Sequence, residues 1–356
     1  MASIKYWRLY LLSVVLGIGG SLQYGIQVSV IAAPAVHIQR FVNYTWMWRY
    51  GSPVEESSNQ IIWSFIVAVL SLGAWAGAVH SGSLPVKYGR KKALLINNVV
   101  AIVAAVLMLL SRVARSFEMI LLGRFLYGYN VGLGLSVHLM YLGESSPKEL
   151  RGFMALTGSI FIGLGKVLGQ TIGIKELLGT EGTWPYLLAV SGLPAIFQFI
   201  TLLLFPESPR YTYIDKGDAE ASKRALRWLW QEDDLKVELD DMQKERESAQ
   251  GQKAKTVKDV ATAHLGIPCA GIQFCGINAL YFYVFDIFRE SGVPESQMQY
   301  LAIGVGATEL IAISLCSFLI DRAGRKKLMG YGYLLMGITM AILTAMLTIK
   351  VGLLNY

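Results

Sequence analysis

The sequence predicts an all-α integral membrane protein built as two related helical bundles, and three observations predict it. The chain is 54% hydrophobic and only 16% charged over 356 residues, whereas soluble domains carry about 25% charged residues. Its mean hydropathy is +0.45, and the apolar residues gather in runs close to the roughly 20 that a helix needs to cross a bilayer. The tetrapeptide GRKK stands at Gly89 to Lys92 and again at Gly324 to Lys327, each time just ahead of such a run. A turn repeated at matching places marks a repeated bundle.

Taken in order, spans are expected near 9 to 33, 61 to 80, 93 to 111, 117 to 142, 152 to 173, 184 to 205, 264 to 286, 300 to 320 and 328 to 349. That makes about nine helices, about six of them before a long polar segment and three after it. The first apolar stretch runs from Trp7 to Ala33, too long for the apolar part of a cleavable signal. Domain boundaries follow: an N-terminal six-helix bundle over 1–205, a linker over 206–259 and a partial C-terminal bundle of three helices over 260–356. The linker mixes charges of both signs around the helical pattern DAEASKRALRWLW, which reads as a solvated amphipathic segment at the cytoplasmic membrane surface.

The formal charge is +7, but the Lys and Arg residues sit in loops rather than on one exposed face, which argues against a nucleic-acid binder. With the N-terminus cytoplasmic, both GRKK turns, Lys148, Arg151 and the linker collect most of the 32 Lys and Arg on the inside. The sequon Asn43-Tyr44-Thr45 then faces outward as a glycosylation site. Cys269, Cys275 and Cys316 lie in apolar stretches without metal-ligand spacing and read as buried thiols with no disulfide. No metal motif, phosphate loop or nucleophile-base pair is present to indicate an enzyme, and no cofactor is expected.

The two GRKK turns join spans 2 and 3 and spans 8 and 9, which are equivalent positions if the chain consists of two six-helix repeats. Further stretches occur in a specific order: GGSLQYGIQ, GRFLYG, MYLGESSPKELRG, PESPR, QFCGINALYFY and DRAGRKK. On these the chain resembles a facilitative hexose transporter of the sugar-porter family, in the major facilitator superfamily, over nearly all its length. The stretches AAPAVHIQRFVNYTW and SFEMILLGR resemble its class II, glucose and fructose, branch. The implied fold is two six-helix repeats that alternate access to a midplane site. The second repeat is expected to be incomplete, because the sequence stops at Tyr356 before the family's last three helices.

Charged residues at the cytoplasmic helix ends form a candidate latch: Arg90, Glu144, Arg151, Glu207 and Arg210 pairing with one another and with Asp321 and Arg325. The resemblance implies that such pairs hold the inside shut. A sugar is a neutral polyol, so its site needs amides, hydroxyls and aromatic faces. Family matching makes Gln273 and Asn278 sugar ligands, and Phe282 with Tyr283 the outer gate. It also aligns Ser159 with a sugar-binding glutamine and Ile272 with a second, losing two hydrogen-bonding groups, while Gln170 remains an amide in the same span as Ser159. Gln27, counted with Ser159, Gln170, Gln273, Asn278 and Glu309 among the expected substrate-binding residues, stands where proton-coupled relatives carry aspartate, and it cannot titrate. Glu309 matches a sugar-facing polar position and could bind hydroxyls or hold a proton. Lys166 has no family counterpart; pairing with Glu309, snorkelling or helix-helix bonding are its options. His138 reads as a structural polar group. The stripes Gly73 with Gly77, and Gly165, Gly169 with Gly173, read as close helix packing.

The expected function is facilitative transport of fructose and/or glucose, with sugar and membrane lipid as partners, in the plasma membrane. The alternative is a non-transporting membrane protein that associates with a full-length transporter chain.

Overall fold

The computed structural model describes residues 6–232, 235–249 and 281–354. Every regular element among them is helical. In chain order these are α1 (Trp7–Leu16), a one-turn π segment (Gly17–Ser21), α2 (Leu22–Ser29), α3 (Ala35–Tyr50), α4 (Glu56–His80), α5 (Leu84–Tyr88), α6 (Arg90–Ser111), α7 (Glu118–Ser145), α8 (Arg151–Ile172), α9 (Trp184–Ala189) and α10 (Gly192–Leu202). A second π segment (Tyr211–Asp215) leads to α11 (Ala219–Trp230) and α12 (Lys236–Ala249), and the last elements are α13 (Val284–Glu290), α14 (Glu295–Ala323) and α15 (Arg325–Leu354). Eight of the helical stretches among the described residues are long and apolar enough to cross a membrane. They fall on eight of the expected spans; most of the remaining one, 264 to 286, lies outside the described residues.

Two compact units divide the chain, Met1–Ala307 and Thr308–Tyr356. Within the first, glycines set the helix spacing. A methyl group at Gly73 would stand 2.1 Å from the Phe125 carbonyl oxygen, and one at Gly77 would stand 2.2 Å from that of Tyr129. Gly128 and Gly132 on α7 meet the Leu70 and Ala74 carbonyls just as closely, so the α4–α7 contact is glycine-lined from both sides. Gly25 against Ile162 and Gly165 against Leu22 do the same for α2 and α8. Lipid supplies no hydrophobic drive between helices, so close backbone packing substitutes for it. The sixth span breaks between α9 and α10. Pro194 lacks an N–H there and crowds the Val190 carbonyl a turn earlier.

At the end that carries the first GRKK turn, α11 departs from the expected solvated linker. Asp218 caps it by accepting from the Ala221 N–H at 2.9 Å. Its apolar stripe, Leu226, Leu229 and Trp230, is buried in one cluster with Leu9, Leu12 and Leu16 of α1 and Tyr141 and Leu142 of α7. Trp230 Nε1 donates to the Ser145 carbonyl at 2.9 Å, and the Arg8 guanidinium lies 4.8 Å from the centre of the Trp228 ring. Burying each such large side chain contributes on the order of 2 kcal/mol, so α11 is a docked part of the bundle rather than a free tether.

The second unit continues α14 and contains α15. Its large apolar side chains, such as Ile311, Leu315, Leu334 and Ile342, are exposed. Cys316 is exposed as well, a correction to the buried thiol expected from its apolar neighbours.

Candidate functional site

Three groups of side chains carry the candidate chemistry. The first is the charged cap at the GRKK end. Arg90 is 8% exposed and bonds Glu144 through Nη2 at 2.7 Å and Nε at 3.2 Å. Its Nη1 bonds Asp215 at 2.8 Å, and the Tyr211 ring lies 4.8 Å from its guanidinium carbon. Glu207 accepts from the Lys91 and Ser208 backbone N–H groups, each at 2.9 Å. Arg210 bonds Glu238 at 2.8 Å, Asp241 at 3.3 Å and Glu245, while Arg151 reaches Glu238 at 3.3 Å and Lys148 reaches Asp241 at 2.8 Å. Glu238, Asp241 and Glu245 recur at helical spacing, so α12 presents one acidic stripe to three cations. Burial opposes the Arg210 charge, but the bonds to Glu238, Glu245 and Asp241 raise its pKa overall.

Each first-unit member of the expected latch is thus engaged: Arg90 with Glu144 and Asp215, Glu207 with backbone N–H groups, Arg151 with Glu238, and Arg210 with Glu238, Asp241 and Glu245; of these partners Asp215, Glu238, Asp241 and Glu245 were not among the expected latch residues. For the three α12 acids, helical spacing was the available signal. The side chains of Asp321 and Arg325 lie outside the described residues.

The second group is a polar knot inside the bundle. Arg124 is fully buried. Its Nη1 donates to the backbone oxygen of Gln27 at 3.1 Å and to Gln27 Oε1 at 3.3 Å, and its Nε donates to the Ile66 carbonyl at 3.3 Å. Gln27 Nε2 donates in turn to Ser191 Oγ at 2.9 Å. Both amide atoms of Gln27 are therefore engaged within the bundle. Arg124 was visible in GRFLYG as an intramembrane cation, a signal that by itself points to function. His138 Nδ1 pairs with Ser21 Oγ at 2.8 Å beside the first π segment, in keeping with a structural role.

The third group lies where α8 meets residues 281–307. The Lys166 ammonium, on a side chain 4% exposed, stands 4.2 Å from the centre of the Tyr281 ring. One turn on, Gln170 is 8% exposed, has no hydrogen-bond partner for either amide atom among the described residues, and faces Gly306. Ser159 is exposed on α8, and Glu309 is half-buried on α14. Gln273 and Asn278 lie outside the described residues.

Phe282 lines two cavities. One, about 430 Å3, is bounded by Tyr24, Ser71, Trp75, Leu135 and Ser136 of α2, α4 and α7. The other, about 320 Å3, lies at the Asn43 end. Tyr283, half-buried, caps α13 just beyond. Asn43 is exposed on α3, where its Oδ1 accepts from the Val54 N–H at 3.0 Å.

The helical bundle that holds these three groups shares its fold with solved structures. XylE of E. coli, described as a proton:xylose symporter bound to 6-bromo-6-deoxy-D-glucose, superposes with a TM-score of 0.76 at 22% identity over 90% of this chain and 71% of that one. A partially occluded, inward-open structure of the same protein gives 0.72 at 20% identity, over 89% and 74%. The fold is that of the major facilitator superfamily. Residues 12–353 match the family described as "Sugar (and other) transporter", and the chain belongs to that family. Human solute carrier family 2, facilitated glucose transporter member 11, is 42% identical over 342 residues, covering 94% of this chain and 69% of the relative. Mouse member 9 is 36% identical over 93% and 63%, and human member 5 is 37% identical over 98% and 72%. The chain thus spans between 63% and 72% of the length of these relatives.

Proposed function

We propose that the chain conducts hexoses, fructose and/or glucose, by passive alternating access. The observation that carries this reading is its 42% identity, across 94% of its length, to a relative named as a facilitated glucose transporter. The chemistry of the path agrees. Hydroxyls of Tyr24, Ser71 and Ser136 and the Trp75 ring offer the neutral donors, acceptors and stacking face that a polyol needs. Gln27 gives Arg124 a partner that cannot titrate, which supports uniport over proton coupling.

In this reading Gln170, Gln273, Asn278, Ser159 and Glu309 contribute to the sugar path, and Gln27 holds Arg124. Phe282 with Tyr283 gates the Asn43 side. The charged cap around Arg90, Glu144, Arg151, Glu207 and Arg210, with Asp321 and Arg325 in the second half, latches the other side. The protein is proposed to sit in the plasma membrane with its N-terminus cytoplasmic and a glycan on Asn43. Bundles divided at about 205 and 259 are part of the same proposal.

The test is uptake of labelled D-fructose and D-glucose into liposomes that contain the purified chain. Saturable uptake, blocked by unlabelled sugar, is expected; uptake equal to protein-free liposomes would overturn the reading. Gln27→Asp is expected to introduce a pH dependence that the parent lacks. A second reading, association with a longer transporter chain without transport, is favoured by the exposed apolar faces of the second unit. Stable co-purification with no uptake would select it.

A further inference from the structure

The recess at the Asn43 end is walled by α3, the turn at 173–179, α13 and the first turn of α14. Its volume, about 320 Å3, lies within the range of small-molecule sites. Arg40, Lys175, Asp286, Arg289 and Glu295 supply its charged lining, and Phe282 and Phe285 its aromatic lining. Asp286 is oriented by Arg289 at 3.0 Å, while Arg40, Lys175 and Glu295 make no ion pair with a described residue. His37, also in the lining, has a buried Nδ1 without a hydrogen-bond partner among the described residues. Gln299 is 8% exposed and fixed, its Oε1 accepting from the Lys175 backbone N–H at 3.1 Å.

This mixture selects a class of ligand. A cavity built for an anion would gather cations alone, and one built for an apolar ligand would leave out the charges. Here cationic donors and carboxylate acceptors line the same recess as two aromatic rings. A sugar hydroxyl both donates and accepts, and the C–H face of a pyranose or furanose ring packs on a phenyl ring. Phe282 lines this recess and the inner cavity alike, so an occupant would stand directly outside the outer gate.

We propose that the recess is a second monosaccharide site, which loads the path from its mouth; the proposal rests on the sugar-conduction reading above. Val36 lines the recess and is exposed, so Val36→Cys serves as a reporter in a chain whose native Cys269, Cys275 and Cys316 are serine. Ser71→Cys reports the inner cavity, and Trp48→Cys, exposed elsewhere on α3, is the control. Alkylation by an impermeant maleimide is followed on the chain in proteoliposomes, with D-fructose or D-glucose added. Sugar at twice its dissociation constant is expected to slow alkylation at Val36→Cys about three-fold and to leave Trp48→Cys unchanged. Combining Arg40→Gln with Glu295→Gln, both at exposed rim positions, should remove that protection while Ser71→Cys stays protected. Protection at Ser71→Cys without protection at Val36→Cys, or Val36 protection that survives both glutamines, would overturn the mouth site and leave sugar conduction standing. Protection at neither position would overturn both.

Discussion

At the first GRKK turn Gly89 has φ 99° and ψ 161°, and at the second Gly324 has φ 83°. Both glycines lead straight into a long helix, α6 in one case and α15 in the other. Around Gly89 the space is full: a methyl there would come within 2.3 Å of Glu207 Oε2 and 3.0 Å of the Tyr211 ring. Around Gly324 such a methyl would meet no described atom within 4 Å. The same four letters therefore encode one backbone event, in a crowded setting at the first copy and with no described atom close by at the second. Glycine is required by the turn, which side chains with a Cβ adopt only under strain. The cations are a separate matter; at the first copy Arg90 is committed to Glu144 and Asp215.

The largest effect is expected at Gly89. Gly89→Ala combines a backbone region nearly confined to glycine with overpacking against Glu207, a loss of about 4 kcal/mol. Little monodisperse protein should survive detergent extraction, as read by fluorescence-detected gel filtration; normal yield would show that the crowding is relaxed at no cost. Next comes Arg90→Ala, which leaves the largely buried Glu144 with the Ser208 hydroxyl but no cation and should cost about 3 kcal/mol, discounted somewhat because Asp215 is 32% exposed. A thermal-inactivation curve of the fluorescent fusion measures it, and Arg90→Lys should recover only part, because an ammonium cannot reproduce the forked contact. Gly324→Ala should cost about 1 kcal/mol, from backbone strain alone. Equal losses at the two glycines would mean that the environments do not differ as described.

The smallest effect concerns pH. The Lys148 hydrogen bond, opposed by burial and aided by Arg210, holds the Asp241 carboxyl below its ordinary value of 3.8. A depressed carboxylate contributes stability that is present above the unfolded value and lost as pH falls through the folded one. Anisotropy of a dye on Gln243→Cys of α12 should therefore stay constant from neutral pH down to about 4 and fall slightly below that. Asp241→Asn should remove that acid limb.

Much of this fold was legible because the membrane makes periodicity and length decisive. The glycine stripes at Gly73 and Gly165 announced close packing, although their partners Gly128, Gly132 and Gly25 could be recognised only once the helices were paired. The docking of α11 was harder to read. Its Leu226, Leu229 and Trp230 stripe shows amphipathicity, but a sequence does not say whether the apolar face meets lipid or protein. At the site, the latch arginines were legible from charge at helix ends. The α12 acids showed a stripe at helical spacing, but their partners, like that of Asp215, could not be read because they lie far away in the chain. Gln27 shows the limit of residue-by-residue transfer: its amide is occupied by Arg124 and Ser191, a contact that no spacing along the chain reveals.

Passive movement of a neutral sugar past an untitratable Gln27 is the claim on which the functional account stands. Counterflow tests it most directly: liposomes that hold the chain and are preloaded with unlabelled D-fructose or D-glucose are diluted into the same labelled sugar, with the proton gradient clamped at zero, inward or outward. A transient overshoot of equal size under all three conditions is the predicted result. No overshoot with either sugar, or one that appears only with a proton gradient, would contradict it.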